Sequence, residues 1–281
     1  CQTELLETTN IFRKRRVPMD LQGKRIIVTG SARGIGAATV RAYARAGADV
    51  IGMDLNDEIG LIVAADAHAR GPGTAGFVHV DISNKDSVEA AFTEAVDRIG
   101  GLDVLANPAA IKRASDTGKT DAGHVGIEDW DRIFAVNVRG TMIVNQVAYR
   151  HIKAAGGGSI INFGSISGQR PEPSAAAYSS SKGAVHSWTR TAAGAWGSDN
   201  IRVNAVLPAI RTPMFDETYA SFTKEEKTTA YWRNFQSIAM GGAYGDPDQD
   251  LSPVMVFLAS DSSRFISGQL IPVDGGQSNV R

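Results

Sequence analysis

Two side chains four residues apart, Tyr178 and Lys182, have the types and the spacing that acid–base chemistry requires. Residues at this spacing share one face of a helix, so the phenol would stand beside the ammonium. A free tyrosine keeps its proton at neutral pH because its pKa is about 10. Making it a base near pH 7 takes about 4 kcal/mol of preference for the phenolate, much of which a neighbouring positive charge can supply. Taken alone, the pair fits two solvated groups on a helix surface equally well.

Short β-rich runs alternate with helical patterns along the chain and must position this pair. We predict strands at 25–29, 49–53, 77–80, 103–106, 159–163, 201–206 and 269–273, and helices at about 35–46, 57–69, 84–99, 128–154, 176–197 and 247–259. This alternation predicts an α/β fold with a parallel sheet and helices on both faces. No linker or repeat divides the sequence, so residues 19–281 are predicted to form a single domain.

Composition and charge narrow the classes of function. The net charge is −1, so the charge balance favours neither nucleic acid nor an anionic membrane as a partner. No apolar run approaches the ~20 residues that span a bilayer. The only cysteine is Cys1, which excludes an intramolecular disulfide and favours a cytoplasmic location, and the histidines do not form a metal-site pattern. We expect residues 1–18 to be an N-terminal extension outside the fold, disordered or left over from expression.

A glycine-rich turn follows the first predicted strand and opens the first predicted helix. It contains Gly30, Gly34 and Gly36, with Arg33 and Ile35 beside the later glycines. Glycines there permit a tight turn and let backbone amides approach a pyrophosphate, while the helix N-terminus supplies a positive dipole end. The turn therefore predicts a dinucleotide site. A glycine-rich turn without a ligand is the alternative, because the spacing is not the more common one.

Acidic residues at the ends of the next two strands suggest which dinucleotide binds. Asp54 is placed to hold the ribose hydroxyls of an adenosine, and no cation follows it in Leu55-Asn56-Asp57-Glu58 to offset a 2′-phosphate. This favours NAD over NADP, although Arg33 could reach such a phosphate. Asp81 is placed to meet the adenine amine. For both aspartates, capping of the following helix is the alternative.

Two further polar residues complete an ordered set. Ser165 lies in the loop after the fifth strand, and Asn137 lies on the preceding long helix. Together with the glycine turn, Tyr178 and Lys182, they closely resemble the classical short-chain dehydrogenase/reductase family from about residue 21 to 276. The resemblance implies a Rossmann-type, doubly wound sheet of seven parallel strands. It also implies a homotetramer or a homodimer.

The resemblance assigns a role to each residue of the set. Tyr178 would be the catalytic acid/base, and Lys182 would lower its pKa and bind the nicotinamide ribose. Ser165 would orient the substrate oxygen and stabilise its charge, and Asn137 would hold a water that relays protons. As alternatives, Ser165 could merely bond a turn and Asn137 could cap or kink its helix. Further contacts with NAD(H) are implied for Leu55, Ile82, Asn107, Ala109, Pro208, Ile210 and Thr212.

Two stretches depart from the family's usual pattern. Asn107-Pro108-Ala109-Ala110 stands where the family usually has Asn-Asn-Ala-Gly, and Pro208-Ala209 stands where it usually has Pro-Gly. Pro108 removes a backbone N–H, and Ala110 adds a methyl group near the expected cofactor ribose. We therefore expect cofactor binding to survive with a smaller contribution from this strand end.

A long segment, 209–245, should cover the substrate, and we call it the lid. Gln169, Met214 and Phe215 are expected to contact the substrate together with Ser165 and Tyr178. The lid also carries Tyr219, Phe222, Tyr231, Trp232 and Phe235. Such a lining suits an apolar secondary alcohol or ketone, alicyclic or aromatic, although packing of the lid or a subunit contact explains it equally well.

The predicted function is therefore NAD(H)-dependent interconversion of a secondary alcohol and a ketone. One alternative is a catalytically silent dinucleotide-binding sensor or scaffold. A second is a 3-oxoacyl thioester reductase. A third is a non-redox relative such as a dehalogenase, which Lys182 and Gly34 disfavour.

Overall fold

A computed structural model of the chain describes residues 20–113, 120–220, 223–230 and 237–278. Across these ranges the strands are β1 Arg25–Thr29, β2 Asp49–Asp54, β3 Thr74–His79, β4 Val104–Asn107, β5 Gly158–Phe163, β6 Ile201–Pro208 and β7 Leu270–Val273. The α-helices are α1 Gly34–Arg45, α2 Asp57–Arg70, α3 Lys85–Ile99, α4 Ile127–Phe134, α5 Thr141–Ala154, α6 Ala176–Trp196, α7 Pro213–Ala220, α8 Lys224–Ala230 and α9 Ser252–Ala259. The predicted extension, residues 1–18, lies outside the described residues.

The strands form one sheet in the order β3-β2-β1-β4-β5-β6-β7, and every pair is parallel. The direction of winding reverses between β1 and β4, so the carboxyl ends of these two strands border a crevice. In doubly wound sheets, ligands bind at this switch point. The predicted seven-stranded, Rossmann-type, single-domain α/β fold is confirmed.

Helices cover both faces of the sheet because its strands are apolar on both sides. Ile27 of β1 belongs to the core that contains Phe92 of α3, whereas its neighbours Ile26 and Val28 belong to the core that contains Tyr43 of α1. Successive strand residues point to opposite faces, so one strand supplies both cores. The candidate catalytic residues thus lie on elements that are packed on both faces of the sheet by apolar cores.

Element boundaries differ from the predicted ones at a few points. The predicted helix 128–154 is interrupted by a π-helical turn, Ala135–Gly140, between α4 and α5. A second π-helical turn, Pro247–Leu251, precedes α9. β3 begins at Thr74, earlier than predicted, because Thr74, Ala75 and Gly76 pair with β2 although Ala75 and Gly76 are weak strand formers. No helix in the described ranges is long and apolar enough to cross a membrane.

Candidate active site

The glycine turn between β1 and α1 brings three backbone segments into close contact. Gly30 and Gly34 have φ values of +59° and +50°, which favour glycine. A Cβ at Gly36 would lie 1.9 Å from the Gly30 carbonyl oxygen, and one at Gly30 would lie 2.8 Å from Ala109 Cα. Arg33, the residue before α1, makes no side-chain cap, so among the described side chains none closes this helix N-terminus from its cap position. The backbone amides of this turn, residues 30–36, are therefore available to bind an anion, and we call the turn the cradle.

Asp54 ties the end of β2 to this turn. Its Oδ2 accepts the Ala32 N–H at 3.0 Å, and its Oδ1 accepts the Asn56 N–H at 3.0 Å. The cap of α2 is Asn56, whose side chain accepts the Ile59 N–H, so the reading of Asp54 as only a helix cap is wrong. The half-buried carboxylate stands beside the cradle, where a ribose would follow a pyrophosphate. The next side chain, Leu55, is exposed.

The other candidates near the adenine end take structural positions. Asp81 Oδ1 accepts the backbone N–H of Ser83 at 2.9 Å and its hydroxyl at 2.7 Å. Asn84, not Asp81, caps α3. Ile82 is buried against the π-helical turn, where a Cβ at Gly140 would lie 3.0 Å from its carbonyl oxygen. Arg33 lies 3.9 Å from the Glu217 carboxylate of α7, so its guanidinium faces the lid.

The Asn107 side chain links the end of β4 to β1 and to α5. The Thr29 hydroxyl donates to Asn107 Oδ1 at 2.5 Å, and Asn107 Nδ2 donates to the Thr141 hydroxyl at 3.4 Å. The Ala109 N–H in turn donates to the Thr29 hydroxyl at 3.4 Å. Because the Asn107 side chain is buried and bonded to its neighbours, it is Ala109 that lies against the glycine turn.

The residues after β6 lead into the lid. Pro208 is the last residue of β6, and Ile210 is buried and forms a bridge with Gly245. The Thr212 hydroxyl accepts the Phe215 N–H at 3.2 Å and so caps α7. A Cβ at Gly34 would lie 3.5 Å from the Thr212 side chain, which places the start of the lid beside the cofactor cradle.

Tyr178 and Lys182 share the inner face of α6 near its N-terminal end. The Lys182 ammonium lies 5.6 Å from the centre of the Tyr178 ring and donates to the Phe163 carbonyl oxygen at 2.9 Å. Lys182 is buried. The lysine is therefore anchored to the end of β5, beside the tyrosine ring rather than against its hydroxyl.

Ser165 presents its hydroxyl to the same tyrosine. Its backbone is extended, and its Oγ accepts the Ser167 N–H at 3.2 Å, which caps the 3-10 turn Ile166–Gly168. The Ser165 side chain also lies close enough to the Tyr178 phenol to lower its pKa. With one lone pair holding its own loop, the hydroxyl can donate to the phenol oxygen or to a substrate oxygen beside it.

Asn137 lies in the π-helical turn between α4 and α5. Its Nδ2 donates to the Ile111 carbonyl oxygen at 2.8 Å and to the Ser181 hydroxyl at 3.1 Å, and its Oδ1 accepts the Ile111 N–H at 2.9 Å. The reading that Asn137 marks a distortion of its helix thus holds alongside a tie between α6 and the loop after β4. Such π-turns are frequent at functional sites.

Burial sets the proton affinities of the pair. Burial raises the pKa of Tyr178 above its usual value, and the hydrogen bond from Ser165 opposes this. Burial lowers the pKa of Lys182 to about 8. In the protein alone, burial is the larger influence on the phenol, and the Lys182 ammonium is bonded to Phe163; that Lys182 lowers the pKa of Tyr178 stays a prediction.

One residue that the sequence analysis left without a role lies in this site. His186 is buried, and its Nε2 accepts the backbone N–H of Ser165 at 3.2 Å. Burial and the charges of Lys182 and Arg190 lower the pKa of His186 to about 4. A sequence signal did exist, since Tyr178, Lys182 and His186 recur every four residues along one face of α6.

The substrate side is bordered by aromatic rings. The Phe215 ring lies 5.7 Å from that of Tyr219 and 4.7 Å from that of Tyr244, which the sequence analysis did not single out. Burial raises the pKa of Tyr244. Gln169 is exposed just after the 3-10 turn. Met214 lies in α7, but its side chain is not among those described, and Phe222, Tyr231, Trp232 and Phe235 lie outside the described residues.

Comparison with known proteins gives consistent similarities. Residues 30–278 match the family described as enoyl-(acyl carrier protein) reductase. The chain is 37% identical over 266 residues to momilactone A synthase of Oryza sativa subsp. japonica, covering 92% of each. It is 34% identical to trans-4-hydroxycyclohexanecarboxylate dehydrogenase of Sinomonas cyclohexanicum, covering 94% of this chain and 96% of that protein. The crystal structure of levodione reductase superposes with a TM-score of 0.84 at 25% identity, covering 91% of this chain and 98% of that one.

Proposed function

The chain belongs to the classical short-chain dehydrogenase/reductase family and is an oxidoreductase of that kind, and we propose that it interconverts a secondary alcohol and a ketone with NAD(H). The observation that carries this proposal is the convergence of Ser165, Tyr178 and Lys182 at the carboxyl ends of the strands. The serine acts on the pKa of the phenol there, and the ammonium is anchored at the end of β5, 5.6 Å from the centre of the phenol ring. This arrangement can move a proton to or from an oxygen atom.

The cradle at the switch point fits a dinucleotide. The positive φ values at Gly30 and Gly34 and the tight contact of Gly36 with the Gly30 carbonyl shape a turn that would present backbone amides to a pyrophosphate at the N-terminus of α1. Asp54 supports NAD over NADP, because its carboxylate lies where a 2′-phosphate would bring about two further negative charges. Arg33 lies 3.9 Å from Glu217, which gives its charge a partner other than a 2′-phosphate.

Each side chain has a definite task in the proposed reaction. Tyr178 exchanges the hydroxyl proton with the substrate oxygen as general acid or base. Ser165 donates a hydrogen bond to that oxygen and stabilises its developing negative charge. Lys182 holds a positive charge next to the phenol, and Asn137 fixes the loop at Ile111 against α6. The expectation that Asn137 holds a proton-relaying water stays a prediction.

Tyr178 is best understood as a base that becomes active only with the cofactor in place. Burial raises its pKa in the protein alone, so the phenol keeps its proton. Bound NAD would accept the hydride, and its positive nicotinamide ring would favour the phenolate. The buried setting of Lys182 strengthens its own effect, because charges interact more strongly where water is excluded.

An apolar, alicyclic or aromatic substrate is the proposed class. The Phe215 and Tyr244 rings lie 4.7 Å apart, and the Phe215 N–H is bonded to Thr212, which borders the glycine turn. The name of one relative, trans-4-hydroxycyclohexanecarboxylate dehydrogenase, refers to a ring alcohol, which supports this class. The matched family's description, which refers to an acyl carrier protein, supports a 3-oxoacyl thioester reductase as the second candidate. The intact Ser165 and Tyr178 pair disfavours a catalytically silent sensor or scaffold.

Replacing the proposed base tests the mechanism. Tyr178→Phe should abolish turnover of NADH, followed by its absorbance with a panel of cyclic ketones, alcohols and 3-oxoacyl thioesters, while NADH binding stays within about twofold. Tyr149→Phe is the matched control, because it removes a hydroxyl bonded to Asp199 at the far end of α5. Substantial activity in Tyr178→Phe would contradict the assigned role. Binding of NADH by the wild type without any turnover would favour the sensor.

The proposed function also concerns the oligomeric state and the cellular location of the protein. We propose a homotetramer or homodimer formed through the outer face of α4, α5 and α6. A depression of about 660 Å³ on this face is lined by Phe134, Met142, Val185 and Trp188, among others. Apolar depressions of this kind suit a partner helix. A cytoplasmic location rests on the cysteine usage alone.

A further inference from the structure

His186 occupies a place under the serine loop that the proposed mechanism does not use. Only 3% of its surface is exposed. A Cβ at Gly164 would lie 2.3 Å from His186 Nε2, and a Cβ at Gly168 would lie 2.8 Å from Cε1. Both glycines therefore let the loop that carries Ser165 close down over the imidazole ring. A side chain at either position would push the loop away.

The contact between the ring and the loop fixes the state of the imidazole. A backbone N–H can only donate, so the Ser165 N–H contact at 3.2 Å requires an unprotonated Nε2. The neutral ring then carries its proton on Nδ1. The charged groups that act on the ring are Lys182 and Arg190 of its own helix, and both oppose its protonation. From the sheet side, a Cβ at Gly164 would also lie 2.9 Å from Leu207 Cδ1, so an apolar side chain borders the same space.

We propose that His186 is a positioning residue for Ser165, which it holds through the backbone so that the serine hydroxyl meets Tyr178. The inference rests on the proposed function, because it concerns the oxygen-binding serine of that reaction. Ser165 has an extended backbone two residues after β5; its hydroxyl accepts the Ser167 N–H, and its side chain is near enough to Tyr178 to lower the pKa of the phenol. The hydrogen bond from the Ser165 N–H to His186 Nε2 fixes the backbone of Ser165 as well. Without it, the donor would be left unsatisfied in a half-buried place and the loop would shift to reach another acceptor.

The expected consequence is a loss in the chemical step and not in cofactor binding. A shift of about 1 Å in a group that orients the substrate lowers the rate by up to about 100-fold. The cradle at Gly30–Gly36 lies on other elements, so NADH affinity should not change. A merely structural role for His186 would instead lower stability without separating kcat from NADH binding.

Two variants of similar size separate the roles of the acceptor and of packing. His186→Gln can present an amide oxygen near the position of Nε2, whereas His186→Leu fills the space without an acceptor. We expect His186→Leu to lower kcat at least tenfold with NADH affinity within about twofold, and His186→Gln to recover most of that loss. Equal kcat in His186→Leu and the wild type, or equal losses in both variants, would overturn the proposal.

A measurement that needs no turnover keeps this test separate from the test of function. Nitrogen-15 NMR of histidine-labelled wild-type protein should show a His186 ring with Nε2 unprotonated and Nδ1 protonated from pH 8 to pH 5, assigned by its absence in His186→Gln. A protonated Nε2 in this range would refute the contact whatever the enzyme does. An enzyme without activity on any alcohol, ketone or thioester but with the expected tautomer would refute only the proposed function.

Discussion

Lys182 should destabilise the folded protein at neutral pH, and its replacement by Met should show this. Burial lowers the pKa of its ammonium from 10.5 to about 8. Each pH unit of such a difference is worth about 1.4 kcal/mol, so the folded state is penalised by about 3 kcal/mol at pH 7. Met has nearly the same length and no charge. It leaves the Phe163 carbonyl without its donor, which costs about 1 kcal/mol. Lys182→Met should therefore be more stable by about 2 kcal/mol.

The sign of the effect follows from proton binding in the two states. The unfolded chain keeps the Lys182 proton up to about pH 10.5, whereas the folded protein releases it near pH 8. Between these values the unfolded chain binds the extra proton, so the wild type gains stability as the pH rises. Below pH 8 the full penalty applies. The advantage of Lys182→Met should therefore shrink from about 2 kcal/mol at pH 7 to about zero at pH 10.

Reversible urea unfolding at pH 7 and pH 10, followed by tryptophan fluorescence, measures this difference. At pH 7 the gain also corresponds to a rise of roughly 4–8 °C in the unfolding temperature. Lys85→Met is the matched control, because Lys85 is exposed at the start of α3 and should change stability little at either pH. A Lys182→Met protein that is less stable than the wild type at pH 7 would refute the reasoning. So would an advantage that does not depend on pH. Turnover should be lost in this variant regardless.

Three further predictions concern the cofactor, His186 and assembly. Asp54→Ala should raise the ratio of kcat/KM with NADPH to kcat/KM with NADH by about tenfold, because it removes a negative charge that would face the 2′-phosphate. Asp57→Ala, which changes an exposed neighbour, should leave this ratio unchanged. An unchanged ratio in Asp54→Ala would limit Asp54 to bonding the glycine turn. The lowered pKa of His186, about 4 against 6.5, means that the unfolded chain binds the extra proton between these values. Between pH 7.5 and pH 5 the wild type should then lose about 2 kcal/mol more unfolding free energy than His186→Leu, and equal losses in urea titrations would contradict a buried neutral ring. Light scattering should give a mass two or four times 29.8 kDa, and a monomer would contradict the proposed assembly.

The fold was predictable from sequence because parallel strands buried on both faces read as short apolar runs, and each run here is separated by a helical pattern. Ile26 to Val28 are apolar without interruption, and the structure buries all of them. The π-helical turn at Asn137 was not predictable, because the apolar spacing of 128–154 continues through it. It depends on bonds to Ile111, a residue from a distant loop.

The sequence predicted site residues that lie at a regular spacing on one helix. It did not predict the hydrogen bonds that join site residues to partners on other elements. Tyr178 and Lys182 share a helix face, so their types and spacing were enough. His186 has the same spacing, but its partner is the backbone N–H of Ser165. Nearly every residue has a backbone N–H, so the residue types do not reveal this partner. The bonds of the Asn107 side chain to Thr29 and Thr141 were hidden for a similar reason, since both partners lie on other elements, and its contact with the cofactor stays a prediction.

The inner face of α6 thus carries two groups, Lys182 and His186, that each cost stability in their charged forms. Burial lowers the pKa of both, and the lysine charge acts further on the histidine. Because the two charges repel, a protonated Lys182 keeps His186 neutral and therefore able to accept the Ser165 N–H. The ammonium would then serve twice, once beside the phenol and once in preserving the acceptor that holds the serine. This coupling adds to the effect of burial on the pKa of His186. It also implies that Lys182→Met should raise the pKa of His186, which the same nitrogen-15 titration would detect.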